Sequence, residues 1–159
     1  MQKIALIGAG FIGAGHAAAC SNSKILELTA ICDVNEEVGK ALADKHGCAF
    51  YTDAEEMLKE CDIDIVDICV PTFLHKTNIL LAAKYKKHII CEKPVTLTME
   101  DMDEILGAVK RAGVKFMVAQ VLRFWPEYVA IKEMYDAGDF GDVKMIYANR
   151  LAQHPNWTH

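Results

Sequence analysis

The sequence predicts an α/β fold: a doubly wound, mainly parallel sheet, followed by the truncated start of an α+β second domain. Three observations carry this. Short β-branched runs alternate with helix-period segments along most of the chain. The apolar runs, such as Ile4, Leu6, Ile7 and Ile63, Ile65, Val66, Ile68, are nearly continuous, as in parallel strands covered on both faces. A glycine-rich stretch, Gly8-Ala9-Gly10-Phe11-Ile12-Gly13, joins the first such run to a helical segment. Residues 1–120 are the first predicted domain, and 121–159 the beginning of the second.

Strands are expected at 3–7, 27–32, 49–51, 65–70, 88–91 and 115–119. Between them, Asn35 can cap a helix with Val38, Ala41 and Leu42 on one face, Lys45 and His46 at its negative end, and Gly47 as a left-handed stop. Asp53-Ala54-Glu55-Glu56 reads as a capping box. Thr98 can cap a helix whose Met102, Ile105, Leu106 and Val109 share a face, ending at Gly113. Beyond residue 120, Pro126 suits the first turn of a helix through Tyr135 that ends at Gly138. Residues 143–151 then read as a strand with Val143, Met145 and Tyr147 on one side. A lone strand is an exposed edge, which favours disorder or pairing with a second copy, so a homo-oligomer is one expected partner.

At 159 residues and 52% hydrophobic, the chain can bury one domain and part of another. A formal charge of -5 without a basic block argues against nucleic acid or an anionic membrane as partner. After residue 20 no apolar stretch is long enough to span a bilayer. The six cysteines are scattered without a C-x-x-C pair, which favours neither a disulfide framework nor a zinc site. No metal ligand set is assigned, and a reducing cytoplasm fits best.

From Ile4 to Cys20 there is no Lys, Arg, Asp or Glu, and three alanines precede the cysteine, so the stretch invites comparison with a lipoprotein export signal. Gly8, Gly10, Gly13 and Gly15 are costly in the helix such a signal needs. Each of the first three has work to do if the stretch joins a strand to a helix. Gly8 permits the tight turn, Gly10 lets a pyrophosphate approach the backbone, and Gly13 lets helix and sheet pack closely. A diphosphate then sits on the free N–H groups at the helix start. Asp33, about twenty residues beyond Gly13 and at the end of the next strand, is placed to accept bonds from an adenosine ribose. It could also cap the following helix. Val34 and Asn35 follow it, with no arginine for a 2′-phosphate, which favours NAD over NADP.

Ligands of an open α/β sheet bind beyond the carboxyl ends of its strands. Val70-Pro71-Thr72-Phe73-Leu74-His75 lies at one such end, where Pro71 stiffens the turn and Thr72 can cap a helix. His75 could be packed, solvated or turned toward a ligand. Cys91-Glu92-Lys93-Pro94 lies at another. Lys93 there is placed either to bond a substrate hydroxyl or the nicotinamide ribose, or to form an ordinary surface ion pair. His16, inside an alanine-rich helix, reads as structural.

The stretches IALIGAGFIGAGHAAA, AICDVN, DIDIVDICVPTFLHKTNILLAAKYKKHIICEKPVTLT and QVLRFWPEYVAIKEMYDAGDFGDVKMI resemble, in order, the glucose–fructose oxidoreductase and inositol dehydrogenase family of NAD(P)-dependent oxidoreductases. The resemblance implies a Rossmann-type first domain. It implies that Gly8, Gly10 and Gly13, with Phe11 and Ile12 between them, hold the diphosphate and Asp33 the adenosine ribose. Val70, Pro71, Thr72 and His75 would line the nicotinamide side, Glu92 would contact the nicotinamide ribose, and Lys93 would be the catalytic lysine of the E-K-P motif. Arg123, Phe124 and Pro126 match the R-F-x-P hinge into the second domain. The implied reaction is hydride transfer between a sugar- or polyol-type alcohol carbon and C4 of nicotinamide. Members of that family are much longer, and an acid–base histidine lies deep in their second domain. His154 and His159 come too early in the order for that role. The expectation is therefore a cofactor-binding part, inactive until the missing domain is supplied. A stand-alone NAD-binding sensor without turnover is the alternative.

Overall fold

The computed structural model describes residues 1–152. Contacts divide the chain into two units, Met1–Ala119 and Gln120–His159. In the first unit six parallel strands, β1 (Gln2–Ile7), β2 (Leu26–Cys32), β3 (Ala49–Tyr51), β4 (Ile65–Ile68), β5 (His88–Cys91) and β6 (Phe116–Val118), are arranged in the order β3-β2-β1-β4-β5-β6. Strand order therefore reverses between β1 and β4, as in a Rossmann-type sheet.

Alternating side chains feed two cores. Leu6 and Ile31 face the helices α1 (Phe11–Ser21) and α2 (Glu36–His46), packing with Ala17, Leu42 and Ala43. Ala5, Ile7, Ala30, Val66 and Ile68 face the opposite way. They meet side chains from α3 (Ala54–Glu60), α4 (His75–Lys84) and α5 (Met99–Ala112), among them Met57, Ile79 and Ile105. Burying each of these three stabilises the unit by about 1.5–3 kcal/mol.

Local chemistry sets the helix boundaries. The Asn35 side chain accepts from Val38 N, Asp53 from Glu56 N and Thr98 from Asp101 N. Gly47 and Gly113 close α2 and α5 at φ of 68° and 69°. Two predicted helix faces are displaced. In α2 the buried face is Gly39, Leu42 and Ala43, while Val38 and Ala41 are exposed. The reason is the close approach to β3, since a Cβ on Gly39 would stand 2.4 Å from the Phe50 ring. In α5 the stripe runs through Met102, Ile105, Ala108, Val109 and Ala112, which rotates Leu106 out to 50% exposure. Strands β4 and β6 are shorter than expected. Beyond Ile68 the chain turns into Pro71, which has no N–H to extend a ladder, and β6 pairs only with β5 at the sheet edge.

In the second unit Pro126 opens α6 (Pro126–Ala137), and Gly138 closes it at φ 81°. The strand expected at 143–151 does not form. Its apolar residues are present, but no partner among the described residues offers a ladder to it. Met145, Ile146, Tyr147 and Leu151 are each more than 80% exposed. His154 and His159 lie outside the described residues. Among the described residues no helix is long and apolar enough to cross a membrane.

Candidate functional site

A cleft of about 390 Å³ opens at the carboxyl ends of β1, β2 and β4, where strand order reverses. Gly8, Gly10, Asp33, Val34, Val70 and Pro71 line it. Its three motif glycines are required for different reasons. Gly8 has φ +103°, and a Cβ there would lie 2.7 Å from the Cys69 carbonyl carbon. A Cβ on Gly13 would lie 1.9 Å from Gly8 O. At Gly10 nothing lies within 4 Å, so its missing side chain leaves open space in the cleft. Phe11 and Ile12 follow on the first turn of α1, 72% and 37% exposed.

Helices α2, α3 and α5 have side-chain caps and acidic residues in their first turns. Helices α1 and α4, which follow β1 and the β4 loop beside the cleft, have neither. Without a side-chain cap or a first-turn carboxylate, the positive dipole end of α1 is left uncompensated beside the cleft, an arrangement that favours an anion there.

Asp33 stands at the lip. Its Oδ2 accepts from Ala9 N at 2.6 Å and its Oδ1 from Asn35 N at 2.8 Å. The cap of α2 is Asn35, so the carboxylate is held against the glycine turn instead of capping the helix. Val34 beside it is 91% exposed. Asp53, the cap of α3, brings a second carboxylate to the same cleft.

The two later loops differ from expectation in detail. Thr72 starts a 3₁₀ turn, Thr72–Leu74, and its hydroxyl caps nothing. His75 is 1% exposed, with Nδ1 2.9 Å from Pro94 O and Nε2 2.8 Å from Val70 O. Its ring lies beneath both loops, and it acts on the cleft only through their backbones. The Glu92 carboxylate turns inward: Oε1 is 3.2 Å from His16 Nε2 and Oε2 accepts from Lys93 N at 3.2 Å. Lys93 is exposed, and its ammonium pairs with no group among the described residues. It is thus available to donate to an oxygen of a ligand.

Asp67, which sequence reasoning passed over, is buried in the middle of β4 and is reached by His16 Nδ1 at 2.8 Å. A charge inside a strand otherwise made of Ile and Val was the available signal, because such a carboxylate needs a partner. The hydrogen bond to Asp67 raises the pKa of His16 above its ordinary value, Glu92 adds to this, and burial opposes it. Cys69 Sγ lies 3.4 Å from His16 Nδ1 and 3.7 Å from Asp67 Oδ1. The ligand atoms of His16, Asp67 and Cys69 fall within 4.8 Å of one another, close enough to hold a metal ion, a grouping that cysteine spacing did not reveal. Burial pushes the Cys69 thiol up, away from the thiolate that coordinates metals. Cys32 and Cys91 are likewise pushed up to about 12 and Cys20 to about 11, so these thiols behave as small hydrophobes. A larger cavity of about 810 Å³ lies within the second unit, lined by Tyr128, Ile131, Tyr135, Phe140 and others. None of the predicted site residues touches it.

A family model described as an oxidoreductase family with an NAD-binding Rossmann fold matches residues 2–120. Inositol 2-dehydrogenase of Rhizobium meliloti (strain 1021) is 37% identical over 145 residues, covering 91% of this chain and 43% of that protein. D-apiose dehydrogenase of Paraburkholderia graminis is 34% identical over 140 residues, covering 87% of this chain and 37% of that protein. The crystal structure of scyllo-inositol dehydrogenase from Lactobacillus casei with bound NAD(H) and scyllo-inositol superposes with a TM-score of 0.85 at 27% identity. It covers 89% of this chain and 43% of that one. The chain spans less than half the length of each of these relatives.

Proposed function

Because the chain belongs to the oxidoreductase family with an NAD-binding Rossmann fold, we propose that it is the nucleotide-binding part of an NAD-dependent dehydrogenase acting on a sugar or polyol. The observation that carries this reading is the convergence of Gly8, Gly10 and Asp33 on one cleft at the strand-order reversal. The glycine turn and the positive end of the α1 dipole receive the diphosphate, and Asp33 takes the adenosine ribose hydroxyls. Val70 and Pro71 line the wall along which the nicotinamide end would extend, whereas Thr72, Glu92 and Lys93 lie outside the cleft lining, Glu92 and Lys93 following β5, the strand next to β4.

NAD bound there supplies a hydride acceptor at C4 of its ring. Lys93 donates a hydrogen bond to the reacting oxygen of the substrate, orienting the carbon that loses hydride and stabilising negative charge on that oxygen. Asp33 and Asp53 together make the adenosine end acidic, which disfavours a 2′-phosphate and supports NAD over NADP.

Isothermal titration of the chain with NAD, NADH and NADP tests the reading. Binding of NAD or NADH at least tenfold tighter than NADP is expected. No binding of either dinucleotide would sink the cofactor assignment, and equal affinity for NADP would remove the preference for NAD.

A further inference from the structure

The proposed function gives work to the glycines, to Asp33 and to Lys93, but none to the His16 ring. That ring projects from α1 and lies between carboxylates of two neighbouring strand segments: Asp67 Oδ2 at 2.8 Å from Nδ1 and Glu92 Oε1 at 3.2 Å from Nε2. A neutral imidazole donates from one nitrogen only, so one carboxylate would face a lone pair. A second proton on the ring satisfies both. The other groups facing the cluster are the thiols of Cys69, Cys20 and Cys91, all pushed toward their neutral forms by burial and by Asp67. They offer no competing positive charge.

The contacts continue beyond the ring. Glu92 Oε2 accepts from Lys93 N at 3.2 Å, and Glu92 N donates to Ile68 O at 2.9 Å. A line of bonds thus runs from the helix behind the glycine turn, through His16 and Glu92, to the backbone of Lys93.

We propose that His16 is a positioning residue: its imidazolium, clamped between Asp67 and Glu92, fixes the Lys93 backbone relative to the helix that receives the diphosphate. The role of Lys93 rests on the dehydrogenase reading above, whereas the clamp does not. The folded-state pKa of His16 is raised, so the clamp is fully present below the ordinary value of 6.5 and is lost as pH rises through the folded value. Loss of the proton leaves two negative charges without the cation between them, and the Glu92–Lys93 segment is released.

Nuclear magnetic resonance of the isotope-labelled 159-residue chain, from about pH 5.5 to about pH 9.5, reads both ends of the line. The expected result is a His16 ring midpoint above 6.5 and a Lys93 amide signal that moves with the same midpoint. Glu92→Gln should lower the ring midpoint, and His16→Gln should abolish the Lys93 titration while the spectrum stays dispersed. A Lys93 amide that does not move with the His16 midpoint in the unmodified protein overturns the proposal, and this comparison needs no variant to fold. Persistence of that titration in His16→Gln does the same. One equivalent of zinc chloride that shifts the His16 ring and the Cys69 Cβ together also overturns it, since the cation would then be a metal. Adding NAD to the same sample tests the cleft separately. If the Gly10 amide does not respond, the cofactor reading fails while the clamp still stands on the shared midpoint.

Discussion

Asp33→Asn removes the charge of the carboxylate and one of its two acceptor oxygens while keeping its shape. In the protein alone those oxygens hold Ala9 N at 2.6 Å and Asn35 N at 2.8 Å. Ala9 is 4% exposed, so water cannot replace its bond, whereas Asn35 is exposed and its N–H can be rehydrated. The amide oxygen should therefore turn to Ala9 and abandon Asn35. The cost is about 1–2 kcal/mol, toward the lower end for bonds to a charged group. That corresponds to a fall in Tm of roughly 3–8 °C. The ribose hydroxyls lose a charged acceptor worth about 1.5–3 kcal/mol, so NAD should bind roughly 10- to 100-fold more weakly. NADP behaves differently. At about 5 Å and an effective dielectric constant of about 20, a unit charge on its 2′-phosphate is repelled by about 3 kcal/mol, and the variant removes that repulsion. Calorimetric titration with both dinucleotides, beside circular-dichroism melts, gives all three quantities. Unchanged NAD affinity, or equal losses for NAD and NADP, would refute the assignment of Asp33 to the ribose.

Two further substitutions separate folding from binding within the glycine turn. Gly10→Ala places its methyl in open cleft, so Tm should hardly change while NAD affinity falls at least tenfold. Gly13→Ala drives a methyl to 1.9 Å from Gly8 O, which should cost about 3 kcal/mol or more and lower Tm by roughly 10 °C, or prevent soluble expression. Away from the site, hydrogen bonds from Lys84 and Tyr85 hold the Glu55 carboxyl down to about 2. Its folded value lies below the unfolded one, so its contribution is present above pH 4.5 and is lost as pH falls toward 2. Urea midpoints of the unmodified chain and Glu55→Gln should differ slightly at pH 7 and converge at the acid end of that range.

Features written in contiguous residues are legible in the sequence. The strand–turn–helix at Gly8–Gly13, the caps at Asn35, Asp53 and Thr98, and the stops at Gly47 and Gly113 each depend on a few neighbouring side chains. What depends on distant partners is not. His16 and Asp67 are 51 residues apart and meet only because α1 packs on β1, whose neighbour in the sheet is β4. The α2 face slipped because Gly39, which has no apolar side chain to mark it as buried, is the residue that lets β3 come close. The run at 143–151 has the composition of a strand, but a strand is a property of a pair, and its partner is absent from the described residues.

The buried His75 ring has a consequence for how this site can diversify. The two nitrogens of one imidazole lie against the carbonyl of Val70 in the loop after β4 and that of Pro94 in the loop after β5. Both loops pack on that ring, so neither can be re-aimed alone. A substitution that shifts one loop displaces the ring against the other, and paired changes should be strongly non-additive even where their side chains never touch. Variation in ligand preference is then cheapest on residues outside this pair of loops, which move as one nearly rigid part.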